Sequence, residues 1–190
     1  MTGAGDDTKH LAEQTISGEK VYGGVLLHVH RDAVRLPDGK PATREYIDHP
    51  GAVAIVPVVD GGMILLERQF RYPLGTVMVE IPAGKIDPGE DPLDTARREL
   101  LEETGQTAAE WRHLGTIHPL VAYSNEHIEL FLATGLTTTQ AASLDDGEHL
   151  ETFTLPLAEA LEWIRDGRIT DSKTMIGLMW ADRLRAGQWS

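Results

Sequence analysis

Apolar and polar positions divide the chain into segments that predict a mixed α/β protein. Residues 51–59 form a nearly continuous apolar run, which is typical of a strand buried on both faces. Asp60-Gly61-Gly62 follows and favours a hairpin turn into a second strand at 63–70. Further strands are predicted at 77–81, 111–118, 126–133 and 150–155, and helices between 91 and 105, at 157–166 and at 172–186. Mixed strands with one central helix and helices at the C-terminus predict an α/β/α sandwich around a mixed sheet.

The first 49 residues follow a different pattern. Residues 16–36 mix apolar runs with alternation, Pro37-Asp38-Gly39-Lys40 favours a turn, and residues 43–49 resume as a short strand. We therefore expect two regions: a loose tail with a small antiparallel sheet at 1–49, and the main domain at 50–190. A sheet this small needs a partner surface to be stable.

The segment 84–106 predicts a turn followed by a helix with signals at both ends. Asp91 can accept hydrogen bonds from the free N–H groups of the first helical turn. Pro92 suits the first helical position, where its missing N–H costs nothing. Gly105 suits the left-handed residue that ends a helix.

Three carboxylates lie close together on this predicted helix. At about 100° per residue, Glu99 and Glu103 stand roughly 40° apart, and Glu102 lies on their other flank. The apolar stripe that includes Ala96 and Leu100 borders Glu103. Like charges at this spacing repel, so the cluster destabilises the helix unless a cation neutralises it. Hard divalent cations such as Mg²⁺ take oxygen ligands, so the cluster is a candidate metal site. The ordinary alternative is that these carboxylates form a solvated acidic face of the helix.

The spacing of these residues resembles the Nudix box, Gly-x5-Glu-x7-Arg-Glu-U-x-Glu-Glu-x-Gly-U, in which U is a bulky aliphatic residue. The matching residues are Gly84, Glu90, Arg98, Glu99, Leu100, Glu102, Glu103 and Gly105. Gln106 replaces the last aliphatic residue, which is a packing position and not a ligand. The chain thus resembles the Nudix hydrolases, and the resemblance implies their fold with an added N-terminal antiparallel β-sheet.

The resemblance also implies a metal site. The expected ligands are Glu99 and Glu103, the backbone carbonyl of Ala83 and, in an assisting position, Glu90 or Glu102. Glu102 and Arg98 are expected to serve catalysis, Arg98 by orienting the carboxylates. The implied cofactor is Mg²⁺, with Mn²⁺ as the alternative. Two or more metal ions supply charge neutralisation, a nucleophilic water and in-line geometry for pyrophosphate hydrolysis.

Two further stretches resemble the ADP-ribose pyrophosphatase branch of that family. Residues 79–90 look like the approach to the box in this branch. Tyr123-Ser124-Asn125-Glu126, after Pro119, resembles the loop that carries an additional catalytic glutamate. Glu126 is the expected residue and Glu129 the alternative. The implied reaction converts ADP-ribose to AMP and ribose 5-phosphate. Hydrolysis of GDP-mannose or other nucleoside diphosphate sugars, and a non-catalytic ADP-ribose sensor, stay open.

Four residues resemble family positions that contact substrate. Arg44 would meet a phosphate or the terminal ribose, Glu45 would accept hydrogen bonds from ribose or amino groups, and Tyr46 would stack on the base. Arg71 is the fourth. Each of the four equally fits a residue on the surface of a sheet. The N-terminal sheet resembles the domain that this branch exchanges between subunits, which implies a homodimer.

Charge and composition narrow the class of partner. The net charge is −13, from 17 Lys and Arg against 30 Asp and Glu, which argues against nucleic acid as a partner. An acidic protein that binds a diphosphate needs metal ions and a few placed arginines. The sequence has no apolar run of roughly 18 residues, so we expect no membrane span. The absence of cysteine agrees with a cytoplasmic location.

Overall fold

The computed structural model describes residues 8–144 and 147–189. The described residues fall into two compact units, each treated by itself below. The first comprises the described part of Met1–His49 together with Leu120–Glu126, and the second comprises Pro50–Pro119 and the described part of His127–Ser190. The predicted loose tail falls partly on residues 1–7, which lie outside the described residues. Within the remainder of that tail, Lys9–Leu11 form a short 3-10 helix.

The first unit contains a three-stranded antiparallel sheet. Its strands are β1 (Gln14–Gly23), β2 (His28–Arg35) and β3 (Pro41–Asp48), in the order β1-β2-β3. The predicted sheet is therefore present. Residues 120–126 join it through the end of β3: the Ile47 N–H donates to the carbonyl of Tyr123 at 2.8 Å, and the Ser124 hydroxyl donates to the carbonyl of Ile47 at 3.2 Å.

The second unit is built on a seven-stranded mixed sheet. Its strands are β4 (Ala52–Val59), β5 (Met63–Arg71), β6 (Thr76–Glu80), β7 (Ala83–Lys85), β8 (Gln106–Ile117), β9 (Ile128–Thr138) and β10 (Leu150–Pro156). The order is β10-β5-β4-β9-β8, with β6 paired to β5 and β7 to β4. Only β4 and β9 pair in parallel among the strands described. The helices are α1 (Pro92–Thr104), α2 (Leu157–Arg165) and α3 (Ser172–Arg185), and Tyr72–Leu74 form a 3-10 helix.

Helices cover both faces of this sheet because successive residues of the central strand point in opposite directions. On one face, Val53 of β4 packs with Ala96 and Leu100 of α1. On the other face, Ala54 packs in a cluster that includes Leu178 of α3. All five are fully buried, and burial of a large aliphatic side chain contributes roughly 2 kcal/mol. The predicted α/β/α sandwich is confirmed. Of the helices that the structure describes, none has the length and hydropathy that a membrane crossing requires.

The sheet divides between β4 and β5, and this division positions the segment before α1. The two strands pair directly only at Val58–Val59 with Met63–Ile64. Beyond that point β5 pairs with β6 and β4 pairs with β7. The chain crosses from β6 to β7 at Pro82, whose carbonyl accepts the N–H of Ile55 at 2.9 Å. Ala83 and Gly84 are thereby fixed beside the central strand.

Candidate active site

The ends of α1 have the geometry that the sequence predicts. The Asp91 carboxylate accepts the N–H of Leu93 at 2.9 Å, and Pro92 is the first helical residue. Gly105 has φ of 69°, in the left-handed region, and its N–H donates to the carbonyl of Leu101 at 2.8 Å. These contacts satisfy backbone groups that a helix end otherwise leaves without partners. The first and last residues of α1 are therefore set by local contacts.

The turn before α1 lies directly against two of these carboxylates. A Cβ atom built on Gly84 would lie 1.9 Å from Oε1 of Glu99, so any side chain here would displace that carboxylate. The N–H of Ala83 donates to Oε2 of Glu103 at 3.1 Å. Gly84 thus permits the close approach of the turn to the helix. The role of the Ala83 carbonyl as a metal ligand stays a prediction.

Arg98 connects three carboxylates of the box. Its Nε and Nη2 donate to Glu90 at 3.1 and 3.0 Å, and its Nη1 donates to Glu99 at 2.8 Å and to Glu102 at 3.0 Å. Nη2 also donates to the carbonyl of Lys85 at 3.2 Å. The hydrogen bonds from Arg98 are the main cause that lowers the pKa of Glu90 to about 2. This geometry is the one that an orienting role for Arg98 requires.

Glu103 and Glu99 are the desolvated carboxylates of the helix. Burial raises the pKa of Glu103, which is 3% exposed, and the charges of Glu67, Glu99 and Glu148 raise it further. Burial also raises the pKa of Glu99, while Arg98 opposes that rise. Desolvation and like charges both disfavour the ionised form of a carboxylate. A bound cation would reverse this preference.

The donor atoms at this position suit a hard divalent cation. All of them are carboxylate or backbone oxygens, which favour Mg²⁺, Ca²⁺ or Mn²⁺ over softer metals. Within the part of the chain that the structure describes, no three acidic, His or Cys side chains already converge on one metal position. Arg98 holds both Glu99 and Glu102. The bond to Glu99 uses Oε1, so a cation that binds through this oxygen requires the ion pair to rearrange, whereas Oε2 takes no bond from Arg98.

The structure brings two carboxylates to this cluster that the sequence motifs did not identify. Glu148 accepts a hydrogen bond from Nε2 of Gln69 at 3.1 Å, and its charge raises the pKa of both Glu99 and Glu103. Glu67 is 1% exposed within β5. A charged residue directly after the apolar run at 63–66 is a signal that could have singled out Glu67, whereas no local pattern marks Glu148.

Arg71 is anchored by a buried acidic residue. Its Nε and Nη2 donate to the two carboxylate oxygens of Glu80 at 2.7 and 2.8 Å, and Lys173 at the start of α3 also pairs with Glu80. Burial pushes the pKa of Glu80 upward, but the hydrogen bonds from Arg71 and Lys173 outweigh this effect and lower it. The Arg71 side chain is still 40% exposed. It is therefore held in one orientation while the side chain stays partly accessible.

The three predicted substrate residues of the first unit do not all share one surface. Arg44 and Tyr46 lie on the same face of β3, and Glu45 lies on the opposite face because side chains alternate along a strand. Arg44 is ion-paired with Glu13. The ring of Tyr46 stacks on His30 with 5.5 Å between centroids. Arg44 and Tyr46 can thus contact one ligand together, and Glu45 cannot join them from the same face.

The predicted loop glutamate and its alternative have different surroundings. The carboxylate of Glu126 lies 3.9 Å from Nε2 of His49, within the first unit. Glu129 lies on β9 in the second unit, where its carboxylate binds Nε2 of His113 at 2.6 Å and the hydroxyl of Thr116 at 2.9 Å. Glu129 is therefore already engaged by neighbours on β8. The catalytic role of Glu126 stays a prediction.

Models of two protein families match this chain. The NUDIX domain matches residues 48–175, which include the whole box and both helix ends. The nucleoside diphosphate sugar hydrolase N-terminal domain matches residues 13–47, which include the three-stranded sheet except its last residue, Asp48. The two matches adjoin between residues 47 and 48.

Comparisons with individual proteins point to the same family. A protein of Bacillus methanolicus named methanol dehydrogenase activator is 40% identical over 90% of this chain and 94% of its own length. The ADP-ribose pyrophosphatase of Bacillus subtilis is 38% identical over the same shares. A crystal structure described as an ADP compounds hydrolase has a TM-score of 0.82 at 24% identity, over 93% of this chain and 95% of that one, and so shares the fold. On its sequence, its fold and a box that departs only at Gln106, the chain belongs to the Nudix hydrolase family.

Proposed function

We propose that this Nudix hydrolase cleaves the pyrophosphate bond of a nucleoside diphosphate sugar, with ADP-ribose as its preferred substrate. The observation that carries the proposal is the cluster of desolvated carboxylates on α1, with Glu103 buried against the turn at Ala83. Divalent cations stabilise such a cluster, and a diphosphate binds the same cations. The relative named ADP-ribose pyrophosphatase supports the choice of substrate. The products would be AMP and ribose 5-phosphate.

Residues of the box would hold the cations. Glu99, Glu103 and the carbonyl of Ala83 are the proposed ligands, and Mg²⁺ is the proposed ion, with Mn²⁺ as a substitute. When bound, these ions neutralise charge on the phosphates and polarise a water for attack. Arg98 keeps the carboxylates in position through its bonds to Glu90 and Glu102. The box would thereby present a fixed set of oxygens to the cations.

Substrate contacts are proposed for residues outside the box. Arg71, oriented by Glu80 and partly exposed, would bind a phosphate through its guanidinium. Arg44 and Tyr46 would contact the second sugar or the base from one face of β3. Glu45 keeps its predicted role as an acceptor, although it lies on the other face of that strand.

A carboxylate outside the box would position the attacking water, and we propose Glu148 for this role. Its hydrogen bond from Gln69 fixes it, and its charge acts on both Glu99 and Glu103. A positioned general base typically contributes about 10²- to 10⁴-fold to the rate. Glu126, the residue favoured by loop resemblance, is the alternative.

A homodimer formed through the region at 1–49 is also proposed. All ten residues of β1 are exposed within the single chain. They include the large apolar side chains Ile16, Val21 and Tyr22, with exposures of 52%, 40% and 58%. A three-stranded sheet with such a surface gains stability when another surface covers it. A second copy of the chain is the proposed cover.

Hydrolysis of ADP-ribose and GDP-mannose, each with Mg²⁺ and with Mn²⁺, tests the substrate. We expect ADP-ribose to give the higher kcat/KM by about tenfold or more. A run in ¹⁸O-labelled water should show the oxygen in one of the two phosphate products. If GDP-mannose is preferred by about tenfold, the ADP-ribose assignment fails. If ADP-ribose binds and neither compound is cleaved, the protein is a sensor and the catalytic proposal fails.

A further inference from the structure

Lys173, in the first turn of α3, is a buried lysine held by two carboxylates. The residue is 8% exposed, and its Nζ pairs with Glu80 of β6 and donates to Oδ2 of Asp171 at 3.1 Å. Replacement of a buried ion pair by apolar residues of similar volume is often neutral or even stabilising. A contribution to stability is therefore a weak explanation for this charge, and its effect on neighbouring groups is a stronger one.

Glu80 joins Lys173 to Arg71. Nε of Arg71 donates to Oε1 of Glu80 at 2.7 Å, and Nη2 donates to Oε2 at 2.8 Å, the same oxygen that Lys173 contacts. Nη1 of Arg71 has no hydrogen bond to a residue that the structure describes, and the side chain is partly exposed. Glu80 thus orients Arg71 through two of its three nitrogens, and the N–H groups of Nη1 are left for an anion.

A second series of hydrogen bonds fixes Lys173 relative to the strand that carries Glu80. The Asp171 carboxylate caps α3 by accepting the N–H of Thr174 at 2.9 Å and its hydroxyl at 2.6 Å. The hydroxyl oxygen of Thr174 in turn accepts the N–H of Ile81, the residue after Glu80, at 2.9 Å. Thr174 and Ile81 are fully buried. The first turn of α3 is thereby bonded to the end of β6, and this connection holds Lys173 against Glu80.

The charges of this group balance only when Lys173 is present. Arg71 and Lys173 supply positive charge, and Glu80 and Asp171, which they contact, supply as much negative charge. Without Lys173 the group would carry a net negative charge beside Arg71, which would oppose the approach of a phosphate. Glu80 and Lys173 are both buried, so salt and water screen this change less than they would at the surface.

We infer that Lys173 is a positioning residue for substrate binding, which shares Glu80 with Arg71 and so leaves Arg71 both oriented and positively charged towards a phosphate of the substrate. This inference rests on the proposed function, in which Arg71 binds a phosphate. Lys173 acts through Glu80 and not by contact with the substrate. The competing explanation is an ion pair that only holds α3 against the sheet.

Steady-state hydrolysis of ADP-ribose with Mg²⁺ by Lys173→Met, alone and combined with Glu80→Gln, distinguishes these explanations. Methionine is unbranched like lysine and carries no charge. We expect Lys173→Met to raise KM by about tenfold with little change in kcat, because binding is weakened and the chemical step is untouched. Glu80→Gln in the same chain removes the excess negative charge and should return KM to within about threefold of the wild type. Lys40→Met, at an exposed position, is the matched control and should change neither constant.

The outcomes separate failure of this inference from failure of the proposed function. A wild-type KM in Lys173→Met, or a double variant with a KM higher than that of Lys173→Met, would show that Lys173 only holds α3 in place. Should Lys173→Met not fold, the double variant, which removes the whole buried pair, tests the inference by itself: a KM raised by about tenfold there would contradict it. If the wild type binds ADP-ribose without cleaving it, Kd from isothermal titration calorimetry replaces KM. If the wild type does not bind ADP-ribose at all, the proposed function fails and this inference fails with it.

Discussion

Replacement of Glu103 by glutamine should abolish turnover and, in the absence of metal, make the protein more stable. The amide keeps an oxygen to accept the N–H of Ala83, now made at 3.1 Å, so the turn before α1 keeps its anchor. The charge that would bind a cation is lost. Because metal ions contribute several kcal/mol to stabilising a phosphoryl transition state, we expect kcat to fall by about 100-fold or more.

The gain in stability follows from the proton that Glu103 holds. Its pKa is raised by burial and then by Glu67, Glu99 and Glu148, so the folded chain keeps a proton that the unfolded chain releases above about pH 4.3. Folding then takes up a proton, and stability falls by about 1.4 kcal/mol per pH unit as pH rises towards the folded pKa. At pH 7.5 this amounts to at most about 4 kcal/mol. Glutamine does not titrate, so the variant does not lose this stability as pH rises.

Thermal unfolding in EDTA at several pH values measures the effect. For a chain of this length, about 1 kcal/mol corresponds to a shift of about 2–4 °C in melting temperature. We expect Glu103→Gln to melt above the wild type at pH 7.5, and to show a shallower decline in melting temperature between pH 5 and 8. Glu151→Gln, which changes the same charge at an exposed position, should show neither change.

Two independent results would contradict these expectations for Glu103. Activity of Glu103→Gln within about tenfold of the wild type would refute its assignment as a metal ligand. A metal-free melting temperature below that of the wild type, with the same pH dependence, would refute the account of Glu103 as a desolvated carboxylate.

Two further predictions concern the proposed base, Glu148, and the first unit. Glu148→Gln should lower kcat by about 100-fold with little change in KM, and Glu126→Gln should have the smaller effect. Steady-state kinetics of both variants would measure the two effects. If Glu126→Gln has the larger effect, Glu126 is the base. Removal of residues 1–49 should leave a protein with exposed apolar edges and little activity, as gel filtration and the ADP-ribose assay would show. An active truncation would contradict the substrate role of Arg44, and a full-length chain that elutes as a monomer would contradict the dimer.

The helix of the box could be predicted from the sequence because short-range contacts define it. Asp91, Pro92 and Gly105 define the helix by contacts within one turn of each end, and the spacing from Glu99 to Glu103 then fixes their common face. The alternation of Val53 and Ala54 likewise assigns the two faces of β4 before any tertiary contact is known. The box, the central strand and the layered architecture therefore follow from short-range pattern.

Neighbours along the chain do not determine the rest of the site. Three charged residues, Glu67, Glu148 and Lys173, come from β5, the loop before β10 and the start of α3. The strand order β10-β5-β4 and the packing of α3 against the sheet bring these elements together. The attachment of residues 120–126 to the first unit also depends on a long-range pairing, at Ile47. In this protein the sequence by itself determined which helix carries the chemistry. The tertiary structure alone decided which further charges surround that helix, because strand register and order depend on the packing of the whole sheet and not on local residue spacing.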